Sequence, residues 1–304
     1  MINRHVRGAV TWVDLEAPTS EELSAVMTEF GIDNRIEEEI ASPTPYPLTL
    51  ATPDYHYLIL HFPAAEATEG TKNQEVDFIV GRDFVITARY EVIDSILALH
   101  KLFEAEELVS TPTATHADAL LEQVMTRLYG AIHDEIERAG RALDRIEHDI
   151  FSGKERQTVR TISQAGRALL RFETALARHE EPLDEFLAGL ASGDFFSKRF
   201  TVRAARIRAA HDHATALVAS YRAVTRELRI TNDSLLSSSQ NEVMKTLTLI
   251  AVAAMPMTLV ASVFGMNVTH IPFANEPAGF WLIIGIMVIA ALVLYIFFRI
   301  KRWF

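Results

Sequence analysis

Cysteine is absent from all 304 residues, so neither disulfides nor thiolate metal ligands can form. Charge is missing from one long stretch: from Thr246 to Phe298, 53 residues, the only Asp, Glu, Lys or Arg is Glu276. No GxxxxGK[ST], HExxH or GxSxG sequence occurs, which leaves enzymatic chemistry without support. The N-terminus, MINRHVRGAVTWVDL, is basic but lacks an apolar core, so no cleaved signal peptide is expected. What is present is foldable. Hydrophobic residues make up 49% of a chain long enough for one or two domains. The net charge of −11 disfavours nucleic-acid binding.

The uncharged stretch reads as two membrane spans. Thr246 to Phe264 has 19 residues, which at ~1.5 Å each reach roughly 28 Å, close to the hydrocarbon thickness of a bilayer. Gly279 to Phe298 has 20, and residues 265–278 form the connecting loop. A soluble core would show amphipathic stripes instead of runs of this kind. Lys245 precedes the first span and Arg299, Lys301 and Arg302 follow the second, whereas the loop has no Lys or Arg. Both termini are therefore expected in the cytoplasm of a multi-pass cell-membrane protein.

The first 115 residues mix strand and helix signals and are expected to form a cytoplasmic α/β domain. TWVDL (11–15), YHYLILHF (55–62), EVDFIV (75–80) and DFVITARY (83–90) read as strands. Ser20 to Phe30 reads as a helix capped by Thr19 or Ser20, and SPTPYPL (42–48) as an extended loop.

Residues 116–200 read as helical. Leu121, Met125, Leu128, Ile132, Ile136, Ala139, Leu143, Ile146 and Ile150 trace the buried seam of one long helix that ends at Ser152-Gly153. A second helix is expected from Glu155 to about Glu180, stopping near Pro182, with a short piece at Leu183–Leu190. From Thr201 to Phe264 only Pro256 interrupts, so a stalk helix of 64 residues is expected to continue into the first span. Its Arg203, Arg206, Arg208, Arg222, Arg226 and Arg229 are expected to be solvated or paired with acids. The fold class is an α+β membrane protein: α/β domain, long helical stalk, two C-terminal spans.

Within NEVMKTLTLIAVAAMPMTLVASVFGMN (241–267), Asn241, Met244-Lys245, Leu247-Thr248, Pro256 and Gly265-Met266-Asn267 stand in an order that resembles the CorA family of divalent-cation channels and transporters. TWVDL and EVDFIVGRDFVITAR agree more loosely. The resemblance implies a homopentamer with the first span lining a central pore, and a transported cation, Mg²⁺ with Co²⁺ or Ni²⁺, in place of any resident cofactor. It also implies acidic sensors of intracellular Mg²⁺. No motif fixes their positions here, and Asp212 is the one residue singled out.

Spacing is consistent with a pore. Asn241, Met244, Thr248, Ala251, Met255, Thr258 and Ser262 recur every three or four residues and share one helical face. A helix–helix contact lined by small residues has the same pattern. Asn267 is expected to accept hydrogen bonds from the water shell of an ion, while Gly265 lets the chain turn and Met266 packs the turn. Thr258 and Asn241 are expected as oxygen rings, and Met244 and Met255 as constrictions or ordinary packing residues. Residues 1–245 add a field that attracts cations: with Arg299, Lys301, Arg302 and Glu276 set aside, 26 basic residues face 39 acidic ones, a balance of −13.

The loop departs from the pattern. After Gly-Met-Asn, magnesium-transporting members usually carry a Met-Pro-Glu sequence, whereas this chain has Val268-Thr269-His270-Ile271-Pro272. That form resembles the zinc-transporting, ZntB-like branch. Glu276 would gather cations by long-range attraction, and His270 would suit Zn²⁺ better than Mg²⁺. Three readings stay open: a Mg²⁺ channel, a Zn²⁺ transporter with or without proton coupling, and a non-conducting sensor or scaffold.

Overall fold

A six-stranded sheet begins the chain, its strands ordered β1-β2-β6-β5-β4-β3. They are β1 (Ile2–Arg7), β2 (Val10–Glu16), β3 (Leu48–Ala51), β4 (Tyr55–Phe62), β5 (Gln74–Gly81) and β6 (Phe84–Arg89). Only β2 and β6 run parallel; every other neighbouring pair is antiparallel. The computed structural model describes residues 1–63, 73–109, 116–192, 195–196, 199–266 and 278–301. By contacts the chain divides into two compact units, Met1–Ile230 and Thr231–Phe304.

Both faces of the sheet are covered, so the central strands are buried nearly throughout instead of at alternate positions. On one face Val13, Leu15, Ile59, Ile79 and Ile86 join a core with residues of α1 (Ser20–Phe30) and α2 (Asn34–Ile40). Thr19 caps α1 through its hydroxyl, and Glu22 reaches back to the Thr19 amide, so the two ends of the motif satisfy each other. The opposite face meets α3 (Asp94–Val109), α4 (Ala117–Phe151) and α5 (Glu155–Ala191). There Trp12 stacks on His100 with ring centroids 4.3 Å apart.

Two helical details differ from the sequence reading. α5 runs through Pro182 without stopping. Loss of one ladder bond and the ring clash cost about 3 kcal/mol, but Leu183, Phe186, Leu187 and Leu190 beyond it are all buried. Each contributes roughly 1.5–3 kcal/mol, so burial outweighs the break. The seam of α4 passes through Gly140 and leaves Ala139 half-buried. The Tyr221 ring lies directly against Gly140, where any Cβ would collide with it.

The last two helices are α6 (Phe200–Phe264), which contributes residues to both units, and α7 (Gly279–Ile300). In the first unit α6 is tied to its neighbours by charge. Arg203 binds Asp118 and Glu122, Arg206 binds Glu122, and Arg222 binds Glu173. Arg208 meets Glu180, Asp184 and Asp212. Asp212 also faces His211, so it is engaged within the chain.

Candidate functional site

The second unit holds the uncharged segments, and its helices are long and apolar enough to cross a membrane. Their most apolar stretches are unburied within the chain, so they rely on surroundings other than the protein's own core. On α6, Leu249, Ala253, Pro256, Met257, Val260 and Phe264 are buried or half-buried. A groove shared by Leu249 and Ala253 with Ala291 and Leu294 shows that this side meets α7. Asn241, Met244, Thr248, Ala251, Met255, Thr258 and Ser262 are exposed. At 100° per residue they lie roughly half a turn away from the α7 side.

Four of the seven, Ala251, Met255, Thr258 and Ser262, line one shallow concavity of about 570 Å³. Its hydroxyl chemistry is directional. Thr258 donates its proton to the Ala254 carbonyl at 2.9 Å, and Thr248, on the same face but outside the concavity, donates to the Met244 carbonyl at 2.8 Å. With the donors used inside the helix, the outward lone pairs remain as acceptors. Water molecules around a cation point their hydrogens outward, and acceptors of this kind match them. No carboxylate belongs to this face, so it carries oxygen without formal charge.

Gly265 directly follows α6 at a point where a side chain would be crowded. A Cβ there would sit 2.9 Å from the Ala261 carbonyl oxygen, which accepts the Gly265 amide at the same distance. Met266 is exposed. Asn267, His270 and Glu276 lie outside the described residues. Among the described residues no group of three or more His, Asp or Glu is arranged to hold a metal ion.

The first unit contains two buried polar networks that sequence reasoning did not find. In one, Asp14 accepts hydrogen bonds from Thr87, Arg89 and His100. Burial would raise its pKa, but these bonds outweigh that effect and hold the carboxyl below its ordinary value. In the other, the Tyr57 hydroxyl donates to Asp77 at 2.7 Å, while His61 donates to the Thr44 carbonyl and to Glu75. Burial pushes Asp77 up to about 8, with Glu75 and Glu39 adding to the rise and the Tyr57 bond opposing it. Burial therefore favours the protonated form of the Asp77 carboxyl. The legible signal was the spacing Glu75-x-Asp77, two acids on one strand face; that His61 stands opposite Glu75 depends on strand register.

A covered α/β sheet, long helices and two uncharged C-terminal spans define a two-span membrane-protein architecture with a neutral, oxygen-bearing helix face. The profile described as "CorA-like Mg2+ transporter protein" matches residues 7–302, and the chain belongs to the CorA family. This makes it a divalent-cation transporter of the inner membrane, not an enzyme. The cobalt/magnesium transport protein CorA of Thermotoga maritima is 23% identical over 299 residues, 96% of this chain and 83% of that protein. The complete structure of the CorA magnesium transporter from Methanocaldococcus jannaschii aligns with a TM-score of 0.81 at 22% identity, covering 97% and 92% of the two chains. The ZntB cytoplasmic domain from Vibrio parahaemolyticus shares the fold with a TM-score of 0.59 at 12% identity, over 78% and 89%.

Proposed function

We propose that the Asn241–Ser262 face of α6, repeated around a ring of five chains, lines a conduit for hydrated Mg²⁺, with Co²⁺ or Ni²⁺ as further cargo. The observation that carries this reading is the pair Thr248 and Thr258, whose protons are held by their own helix and whose lone pairs face away from it. Mg²⁺ sheds its octahedral water shell reluctantly. Neutral acceptors can hold that shell by its outer hydrogens and release it again, as conduction requires. Gly265, Met266 and Asn267 form the mouth, where the Asn267 carbonyl selects by outer-sphere contact. The basic ends of the spans set both termini in the cytoplasm.

A second reading rests on the loop. Val268-Thr269-His270-Ile271-Pro272 replaces the Met-Pro-Glu form, and His270 with Glu276 would favour Zn²⁺. Flux into liposomes holding the purified protein separates the two. Mg²⁺ uptake driven by voltage alone, abolished by Asn267→Ala with oligomer size unchanged, is the expected result. Zn²⁺ uptake that requires a pH gradient supports the second reading. Undiminished flux in the variant removes Asn267 from the selecting role, and absence of flux for every ion leaves the scaffold reading.

A further inference from the structure

Between α6 and α7, on the side of α6 opposite the proposed conduit, lies a groove of about 460 Å³. Along it the chemistry changes. Glu242, Lys245 and Phe298 line one end, Leu249 and Tyr295 follow at one level, and Ala253 and Ala291 continue it toward the middle of the spans. Ala253 and Ala291 are nearly equidistant from the connecting loop, as are Thr246 and Phe298, so the polar end lies where both helices leave the apolar segment. Arg299 and Lys301 follow within one turn of Phe298.

Charge at this end is unbalanced. Lys245, Arg299 and Lys301 form no ion pair among the described residues, and Glu242 is the one acid lining the groove. Along α6 the arginines from Arg203 to Arg222 each have a carboxylate partner, whereas Arg226 and Arg229, like Lys245, form no ion pair among the described residues. Lys245 lines the groove beside Glu242, and Arg299 and Lys301 follow Phe298 just beyond its lining, so three cations stand against one acid around the mouth of an apolar slot, which matches an amphiphile with an anionic head.

We propose that this groove binds an anionic phospholipid. One acyl chain lies against Leu249, Ala253 and Ala291, and the phosphate is held by Lys245 with Arg299 and Lys301. The proposal rests on α6 and α7 being membrane spans and is independent of which ion is carried.

The test uses the purified full chain in detergent, mixed with phosphatidylglycerol or phosphatidylcholine and analysed by native mass spectrometry. The wild type should retain phosphatidylglycerol about tenfold better. Lys245→Gln should lower that preference about fivefold, the factor for one basic residue near an anionic surface. Ala291→Phe, which fills the groove, should remove the bound lipid, whereas Ile289→Phe on the exposed side of α7 should leave it in place. Equal retention of the two lipids overturns the proposal, as does phosphatidylglycerol binding that survives Ala291→Phe. A change of oligomer size in Ala291→Phe with no lipid on the wild type would mean that a second copy occupies the groove.

Discussion

Helix α6 meets two solvents, and its charged side chains are confined to one of them. From Arg203 to Arg222 its cations end on carboxylates, chiefly of α4 and α5: Arg203 on Asp118 and Glu122, Arg208 on Asp184, Arg222 on Glu173. After Lys245 there are no charges to pair, and the hydroxyls of Thr246, Thr248 and Thr258 donate to their own backbone, as those of Thr215 and Thr225 do earlier in the helix. The difference follows from desolvation. Near water a charged pair costs little to form, whereas in hydrocarbon a charge is expensive and a hydroxyl bonded within its helix is tolerated. A hydroxyl can therefore stand on the membrane part of α6 only with its proton donated within the helix or facing water.

The same contrast runs through the first unit, between buried and exposed pairs, and it can be broken by mutation. The largest effect is expected at Asp14, whose ion pair with Arg89 leaves both side chains almost fully enclosed. Asp14→Ala strands the guanidinium and should cost about 3–5 kcal/mol in denaturant unfolding of the full chain. A loss below about 1 kcal/mol would mean that Glu16, also bound to Arg89, suffices alone.

Asp77 gives a pH test. Its folded pKa of about 8 stands above the ordinary carboxylate value of about 3.9, so between these values the native state keeps a proton that the unfolded chain has released. Stability therefore falls as pH rises through this window and levels off above it. His179, held near 3 by burial, acts oppositely: its contribution is lost as pH falls below its ordinary value of 6.5. His61 is raised against the effect of its burial by Glu75 and Thr44, so its contribution is lost as pH rises. From pH ~6.5 to 8 the wild type should lose about 2 kcal/mol. Asp77→Asn, which keeps an acceptor for Tyr57, should remove most of that slope; a wild-type profile that is level over this range contradicts a neutral Asp77. The smallest change belongs to Arg222→Ala, because the pair with Glu173 is partly exposed and is expected to contribute less than about 1 kcal/mol. A loss as large as that of Asp14→Ala would erase the distinction.

Much of this was readable in the chain. The two spans follow from the scarcity of charge between Thr246 and Phe298, and β4, β5 and β6 from their apolar runs. β1, with the sequence INRHVR, and β3, with LTLA, escaped notice because edge strands show mixed exposure and no core pattern. α5 passes Pro182 because burial beyond it outweighs a local break, which no window confined to the proline can reveal. For the site, helical spacing alone grouped Asn241 through Ser262, but it could not separate a conduit from a helix contact. The position of α7 on the other side of α6 required three dimensions, and so did the groove that holds Lys245 and Tyr295.

The central claim is that the exposed face of α6 meets water. With no native cysteine, each introduced thiol is the only one in the chain. Ala251→Cys, Thr258→Cys, Val260→Cys and Ile289→Cys, reconstituted in liposomes and treated with a small charged thiol reagent, test it directly. Modification of the first two, with Val260→Cys on the α7 side and Ile289→Cys on the exposed side of α7 unreactive, is the predicted result. Thr258→Cys reacting no faster than Ile289→Cys would place that face in lipid or protein and contradict the account.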